Sequence, residues 1–153
     1  MAASSGANVP YQQRVLSGHI TELLVKIRQK FASSILLATP PPGKATLYLP
    51  FDSKDDLVGE IENQFNRKMH HCYVAVFFRG EFTVGEKFDT VIIPLEKIGN
   101  EHARPKDRSL GSTLDWSGLQ YFYIKGRLVF VVDGGKLASV VVAFDRGVEN
   151  TQS

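Results

Sequence analysis

The chain has 153 residues, of which 18 are Lys or Arg and 16 are Asp or Glu, and its net charge at pH 7 is +2. Hydrophobic residues make up 43% and charged residues 22%, values that exclude collagen-like, coiled-coil and disordered chains. So balanced a charge points neither to nucleic acid nor to an anionic membrane as the partner. The composition predicts one globular domain that needs no disulfide or metal to fold.

The two ends of the chain differ in composition from the rest. Residues 1–9 and 147–153 are mostly small and polar, so we expect flexible tails around one α+β domain over residues 10–146. The N-terminus has no basic residues and no apolar core, and no apolar run approaches the roughly 18 residues of a membrane span. The single cysteine, Cys72, cannot form an internal disulfide. These features favour a cytoplasmic protein with no membrane segment.

An amphipathic helix is predicted near the N-terminus, over residues 15–31, where apolar residues recur mostly every three or four positions. A short strand is predicted at residues 35–38. A forced turn follows, because the prolines at 40–42 lack a backbone N–H and fix φ. Residues 45–49 are predicted to form a second short strand. Residues 51–65 fit both a helix and a strand, and that choice stays open.

Beyond residue 69, aromatic and β-branched residues alternate with others, which is typical of strands. The predicted strands cover residues 73–79, 87–94, 119–124, 127–133 and 137–144. Lys125-Gly126 and Gly134-Gly135 have the composition of two-residue hairpin turns, so the last three strands are predicted to form a meander. The sequence therefore predicts an α+β fold in which the N-terminal helix packs on a mainly antiparallel sheet that bends strongly or closes into a small barrel.

Few residues are candidates for chemistry. His70, His71 and Cys72 are adjacent, but neighbours on a strand point to opposite faces, so a shared metal site is not expected. Cys72 with either histidine as its base would make a hydrolase, a hypothesis that thiol alkylation tests. Gly134-Gly135-Lys136 lies between two predicted strands and not before a helix, so it is not a phosphate loop. We therefore expect a protein without enzymatic activity, metal or cofactor.

A second set of residues indicates an alternative function. Arg104 and Arg108, with residues 115–118, resemble the RxxxR and D-x-S-x-x-G motifs with which PilZ domains grip cyclic di-GMP, although a solvated charged loop explains them as well. Tyr121 and Tyr123 share one face of a predicted strand, where they could stack on unpaired bases or pack in the core. The alternative is therefore a barrel that binds nucleic acid or a nucleotide through these four residues.

Residues 15–98 are similar in pattern to stringent starvation protein B, the adaptor that holds tagged peptides for the ClpXP protease. The shared features are a helix, a short apolar strand, a Pro-Gly turn, a strand that ends in proline, and a hairpin with the motifs F-x-G and V-x-V-P-x-x-x-I. They fall, in that order, on residues 20–31, 35–38, 42–43, 47–50, 78–80 and 91–98.

This resemblance implies an Sm-like sheet with a groove for an extended hydrophobic peptide, and it places Val76, Phe78 and Val91 at that groove. An edge strand can give a peptide its backbone hydrogen bonds while alternate side chains form pockets, and no catalytic residue is needed. The predicted function is a non-catalytic adaptor for a protein or peptide, with an ATP-dependent protease as one partner. Whether the chain forms a homodimer is left open.

Overall fold

The computed structural model of the chain describes residues 11–52, 55–99, 102–110, 113–114, 116 and 120–145. The predicted tails at 1–9 and 147–153 lie outside these ranges, and so do three of the four residues of the predicted PilZ-like motif at 115–118. None of the helices in the described ranges combines the length and apolarity that a membrane crossing requires.

Two helices and nine strands make up the described part of the chain. The helices are α1 (Gly18–Leu37) and α2 (Asp56–Phe65), and a 3-10 turn covers Arg108–Leu110. The strands are β1 (Tyr11–Val15), β2 (Thr46–Leu49), β3 (Met69–Phe77), β4 (Gly80–Val84), β5 (Phe88–Ile98), β6 (Ala103–Pro105), β7 (Gln120–Ile124), β8 (Leu128–Val132) and β9 (Lys136–Asp145).

The strands form two antiparallel sheets that pack face to face. The larger has the order β1-β7-β5-β9-β3-β2 and the smaller the order β4-β8-β6, with Leu114 bridged to Ala103 beside β6. From β3 to β9 the chain passes back and forth between the sheets: β3, β5, β7 and β9 belong to the larger, β4, β6 and β8 to the smaller. This alternation is the topology of a jelly roll.

Both faces of the large sheet are buried, and this explains its composition. The two helices cover one face and form the helix-side core, while the small sheet covers the other and forms the inter-sheet core. A strand buried on both faces needs a continuous apolar run instead of alternation. Residues 140–144 of β9 form such a run and are all buried.

The predicted bent sheet or small Sm-like barrel is therefore wrong. The predicted meander is wrong as well, because β7, β8 and β9 are not neighbours in either sheet. The strands predicted at residues 73–79 and 87–94 do not form the hairpin that the family resemblance implies, because β3 pairs with β2 and β9. A two-residue turn with glycine indicates only that the chain reverses tightly. It does not say whether the next strand pairs with the previous one or crosses to the facing sheet.

Helix α1 begins at its N-cap Ser17, whose hydroxyl accepts a hydrogen bond from the Ile20 backbone N–H at 3.3 Å. It continues to Leu37, so the strand predicted at residues 35–38 is wrong. Ile35 lies four residues after Phe31 and extends the same buried face, which explains why the helix does not stop at Phe31. The Lys136 ammonium donates to the carbonyls of Ile35 and Leu36 at the C-terminus of the helix.

Residues 51–65, whose pattern fits both a helix and a strand, contain helix α2. The Asp55 carboxylate caps it by accepting from the Leu57 N–H at 2.9 Å, and the helix ends at Asn66, whose φ of 52° places it in the left-handed region. Leu57 and Ile61 are buried in the helix-side core, and Val58 is buried as well. The i, i+4 spacing of Leu57 and Ile61 was therefore the informative pattern.

Candidate functional site

The residues predicted to bind a peptide are part of the helix-side core. Val76 and Val91 have no exposed surface, and Phe78 is 7% exposed. Val76 lies on β3 and Val91 on β5, two strands that are separated by β9 in the large sheet. The structure therefore places these three side chains beneath the helices and not along an open groove.

The residues of the alternative site do not lie together. The tyrosine hydroxyls of β7 face the helices: Tyr121 accepts from Gln64 Nε2 at 3.4 Å, and Tyr123 accepts from Arg67 Nη1 at 3.0 Å. Arg104 lies on β6 of the other sheet, where its Nε is 3.9 Å from an Asp133 carboxylate oxygen, and Arg108 is exposed in the 3-10 turn. The two arginines, one on the small sheet and one in the 3-10 turn, are thus apart from the two tyrosines on the large sheet.

A cleft lies at one end of the space between the two sheets, and we call it the terminal cleft. Its volume is about 230 Å³. The large sheet contributes β3, β5 and β9, while β4 and the β4–β5 turn close the other side. The lining residues are His71, Tyr73, Thr83, Val84, Gly85, Glu86, Lys87, Phe88, Thr90, Val141 and Ala143.

Aromatic rings hold the histidine wall of this cleft in place. The ring of His71 stacks on Tyr73 with centroids 5.4 Å apart, and the ring of Phe88 meets His71 edge-on at 5.5 Å. His70 stacks on the outer side of Phe88 at 4.6 Å. His71 is exposed at the rim, so its imidazole is accessible from solvent while its orientation is fixed by its neighbours.

The protonation states of the cleft residues follow from their surroundings. Burial and the neighbouring His70 lower the pKa of His71, so its imidazole is neutral at pH 7 and can accept a proton. Burial, together with Tyr48, raises the pKa of Tyr73, which keeps its phenol protonated. A free base and a hydroxyl that keeps its proton therefore lie side by side on β3.

Cys72 is not part of this cleft, since it follows His71 on β3 and packs against the helix-side core. Burial, with a smaller effect of Asp55, raises the pKa of its thiol to about 12. A nucleophilic cysteine needs a lowered pKa and an adjacent base. Both conditions fail here, and the hydrolase hypothesis based on Cys72 has no geometric support.

No protein-family model and no curated protein matches this sequence. Solved structures do share its fold. A prolyl-4-hydroxylase from Pseudomonas putida is 11% identical with a TM-score of 0.51, and the match covers 95% of this chain and 98% of that one. A prolyl hydroxylase from Trichoplax adhaerens, in complex with a hypoxia inducible factor oxygen degradation domain peptide fragment, is 9% identical with a TM-score of 0.52, covering 100% and 91%.

A third structure, an oxidoreductase of the 2OG-Fe(II) oxygenase family from Burkholderia pseudomallei, is 13% identical with a TM-score of 0.50, covering 95% of this chain and 90% of that one. All three are enzymes. They contradict the prediction of a non-catalytic adaptor or nucleic-acid binding barrel, and the expectation that the chain is not an enzyme. At such low identity the likeness is one of fold.

The family name of the third structure implies an iron ion. Non-haem Fe(II) in oxygenases is held by two histidines and one carboxylate on one face of the metal. In the ranges that the structure describes, no three His, Cys, Asp or Glu side chains converge on one point. The terminal cleft contains His71 and Glu86, and the Glu86 carboxylate is 3.8 Å from the Arg127 guanidinium. The described residues do not fit Fe(II).

Sequence reasoning missed most of the terminal cleft. His71 was considered only as a metal ligand or as the base for Cys72, and neither Thr90 nor Lys87 was considered. These residues come from segments that are apart in the chain and meet only because β3, β9 and β5 are neighbours in the sheet. One local signal was available in the sequence, the glycine at residue 85. In the structure Gly85 has a φ of 81°, a conformation that favours glycine, at the turn that closes the cleft.

Proposed function

We propose that the chain uses its oxygenase-like jelly-roll fold to bind a small carboxylate substrate in the terminal cleft, beside a base that can accept a proton. The observation that carries this proposal is the set of groups in the cleft: a neutral imidazole, a protonated phenol and the Lys87 ammonium line one space at the end of the jelly roll. The three enzymes that share the fold along nearly the whole chain support a catalytic role.

The charge of the cleft supports an anionic substrate. Lys87 adds a positive charge at the rim, and the hydroxyl of Thr83 supplies a hydrogen-bond donor. The nearby carboxylate of Glu86 pairs with Arg127, which offsets its repulsion of an anion. An ammonium with neutral donors binds a carboxylate through charge-assisted hydrogen bonds. The volume of about 230 Å³ limits that substrate to a small molecule.

His71 is the residue of the cleft that can accept a proton. Its imidazole is neutral at pH 7, accessible at the rim and held by stacking on Tyr73, which suits a general base. Tyr73 keeps its proton and orients the imidazole. Because the described residues do not fit Fe(II), we assign no step to a metal.

The test measures the binding of 2-oxoglutarate, the small dicarboxylate in the family name of the Burkholderia pseudomallei structure. Its dissociation constant is measured by NMR titration for the wild-type chain, Lys87→Ala and His102→Ala. His102 is exposed and lies near β6, outside the terminal cleft, so it is a matched control. We expect wild type and His102→Ala to bind alike and Lys87→Ala to bind about tenfold more weakly or worse, because a hydrogen bond to a charged group contributes about 1.5–3 kcal/mol.

Two results would overturn the proposal. The absence of any chemical-shift change at the terminal cleft in the titration of the wild-type chain would remove the cleft as a carboxylate site. Equal affinities in wild type and Lys87→Ala would show that the ligand binds elsewhere. We also place the chain in the cytoplasm, because a single free cysteine suits a reducing compartment.

A further inference from the structure

A second hollow lies beside the terminal cleft, and we call it the tyrosine hollow. Its volume is about 320 Å³, and it is lined by Tyr48, Leu49, Pro50 and Tyr73. Among the described residues that line it, none carries a charge. Apolar and aromatic walls of this kind suit an apolar group of a ligand.

One side chain separates the tyrosine hollow from the terminal cleft. Tyr73 of β3 lines both spaces. It pairs with Val141 of β9, which lines the cleft, and the next residue, Val74, pairs with Leu49 of β2, which lines the hollow. Because β3 lies between β9 and β2, the two spaces lie on the two sides of the Tyr73 ring.

Ring contacts run from the cleft to the hollow. The ring of His71 stacks on Tyr73 with centroids 5.4 Å apart, and Tyr73 meets the ring of Tyr48 edge-on at 4.6 Å. Tyr48 is 59% exposed, so solvent reaches the hollow from its side. Two ring-to-ring steps therefore separate the base of the cleft from the outer wall of the hollow, and one small molecule can span them.

Given the carboxylate site proposed for the terminal cleft, on which this step rests, we propose that the substrate is an aryl-substituted carboxylate. Its acid group binds in the cleft and its aromatic ring lies in the tyrosine hollow. The charges set this orientation, because the Lys87 ammonium belongs to the cleft and the described lining of the hollow is uncharged. A ring suits the hollow better than an alkyl group, since aromatic pairs gain stacked or edge-to-face contacts beyond the area that they bury.

Tyr48 is the residue that selects for the ring. It lines the tyrosine hollow and not the terminal cleft, whereas Tyr73 belongs to both. A change at Tyr48 should therefore alter the affinity for the aryl group and leave the affinity for a bare carboxylate as it is.

Three probes test the arrangement in NMR titrations of the full chain. They are 3-phenylpropionate, propionate, which lacks the ring, and 3-phenylpropionamide, which has the ring but no charge. We expect the wild-type chain to bind 3-phenylpropionate about tenfold more tightly than either of the others, or better, because burial of a phenyl ring and a charge-assisted hydrogen bond each add affinity.

Substitutions at Tyr48 locate the ring. Tyr48→Ala should reduce the preference for 3-phenylpropionate over propionate to about twofold or less and leave the dissociation constant of propionate unchanged, since it removes one aromatic wall. Tyr48→Phe keeps that wall and should keep the preference. The control is Val15→Ala, because Val15 is 72% exposed on β1, at the opposite edge of the large sheet. Circular dichroism checks the fold of each variant.

Equal affinities of the wild-type chain for 3-phenylpropionate and propionate overturn the inference, and so does a preference that Tyr48→Ala leaves intact. The amide binding as tightly as the acid would show that the hollow takes apolar groups independently of the cleft, which overturns the shared site. A failure of the proposed function differs from these results: neither carboxylate would shift the signals of the cleft or respond to Lys87→Ala, and both proposals would fall.

Discussion

The guanidinium of Arg67 lies 3.0 Å from the carboxylate of Asp89 and joins the segment after α2 to β5 of the large sheet. Asp89 is almost fully buried, with 2% of its side chain exposed, and Arg67 is 19% exposed. The same guanidinium donates to the Tyr123 hydroxyl and the Asp145 carbonyl and lies over the Phe144 ring. One side chain thus connects β5, β7 and β9 beneath the helices.

Replacing Arg67 by Ala is expected to lower the free energy of unfolding by about 3–5 kcal/mol, because it leaves a buried carboxylate without its cation. Urea denaturation measures the change. Arg127→Ala is the control: its ion pair with Glu86, at 3.8 Å, is 63% exposed on both sides and should contribute less than about 1 kcal/mol. Equal losses in the two variants would show that the Arg67 pair is not effectively buried.

Gly85 and Gly59 are predicted to respond oppositely to the same substitution. A Cβ on Gly85 would lie 2.2 Å from the Gly126 carbonyl oxygen, and the φ of Gly85 is 81°, so Gly85→Ala should destabilise the chain by about 3 kcal/mol or more. Gly59 is inside α2 with no atom within 4 Å of its added Cβ. Gly59→Ala should therefore stabilise by about 0.5–1 kcal/mol.

Thermal unfolding of the two glycine variants is the measurement, and the sign of the change in Tm is the result of interest. A tolerated alanine at residue 85 would mean that the β4–β5 turn and the β7–β8 turn do not approach each other as closely as described. Since Gly85 lines the terminal cleft, the same variant should also reduce ligand binding there.

The sequence located six of the nine strands and missed the short β1, β4 and β6. It also failed to predict the pairing, which is decided by residues far apart in the chain. The strands at β7, β8 and β9 were predicted within one or two residues, yet their partners were not, because a glycine turn has the same composition whether or not the flanking strands pair. The long apolar runs, such as Ile92 and Ile93 of β5, also did not reveal what covers the sheet. The helices cover one face of the large sheet and the small sheet covers the other.

The candidate site was less predictable still. His71 was visible as a residue type, but its role depends on Thr90 and Lys87, which meet it only through the strand order of the large sheet. Val76 and Val91, in contrast, matched a family pattern and proved to be core residues. An alternating apolar strand has the same appearance when it lines a groove and when it lies under a helix.

Ser139 is predicted to be a site of stabilisation. Its side chain has no exposed surface, and its hydroxyl has no hydrogen-bond partner among the described residues. In the large sheet it pairs with Ala75 of β3 on one side and with Pro94 of β5 on the other. An unsatisfied buried hydroxyl costs about 1–3 kcal/mol, so Ser139→Ala should raise the free energy of unfolding by about 1 kcal/mol.

Thr90→Val is the matched comparison, because the Thr90 hydroxyl is also buried but donates to the Phe88 carbonyl at 3.3 Å. Removing a hydroxyl that has a partner should lower stability by about 0.5–1.5 kcal/mol. Both changes can be read from guanidinium denaturation at pH 7. A loss of stability in Ser139→Ala would mean that its hydroxyl is satisfied, for instance by a buried water.

Cys72 is predicted to make the folded state sensitive to alkaline pH. Burial raises its pKa from an ordinary value near 9 to about 12, so the folded chain keeps the thiol neutral over a range in which the unfolded chain ionises it. The stability that this difference contributes is complete below pH 9 and is lost progressively as the pH rises from about 9 to about 12. Cys72→Val removes the titrating group, and its stability should fall less steeply over that range than the stability of the wild-type chain.

The same burial predicts that a thiol reagent at pH 8 modifies Cys72 in the folded chain far more slowly than in urea. Rapid modification of the folded chain, or parallel stability curves for the two chains above pH 9, would show that the thiol is exposed and its pKa ordinary.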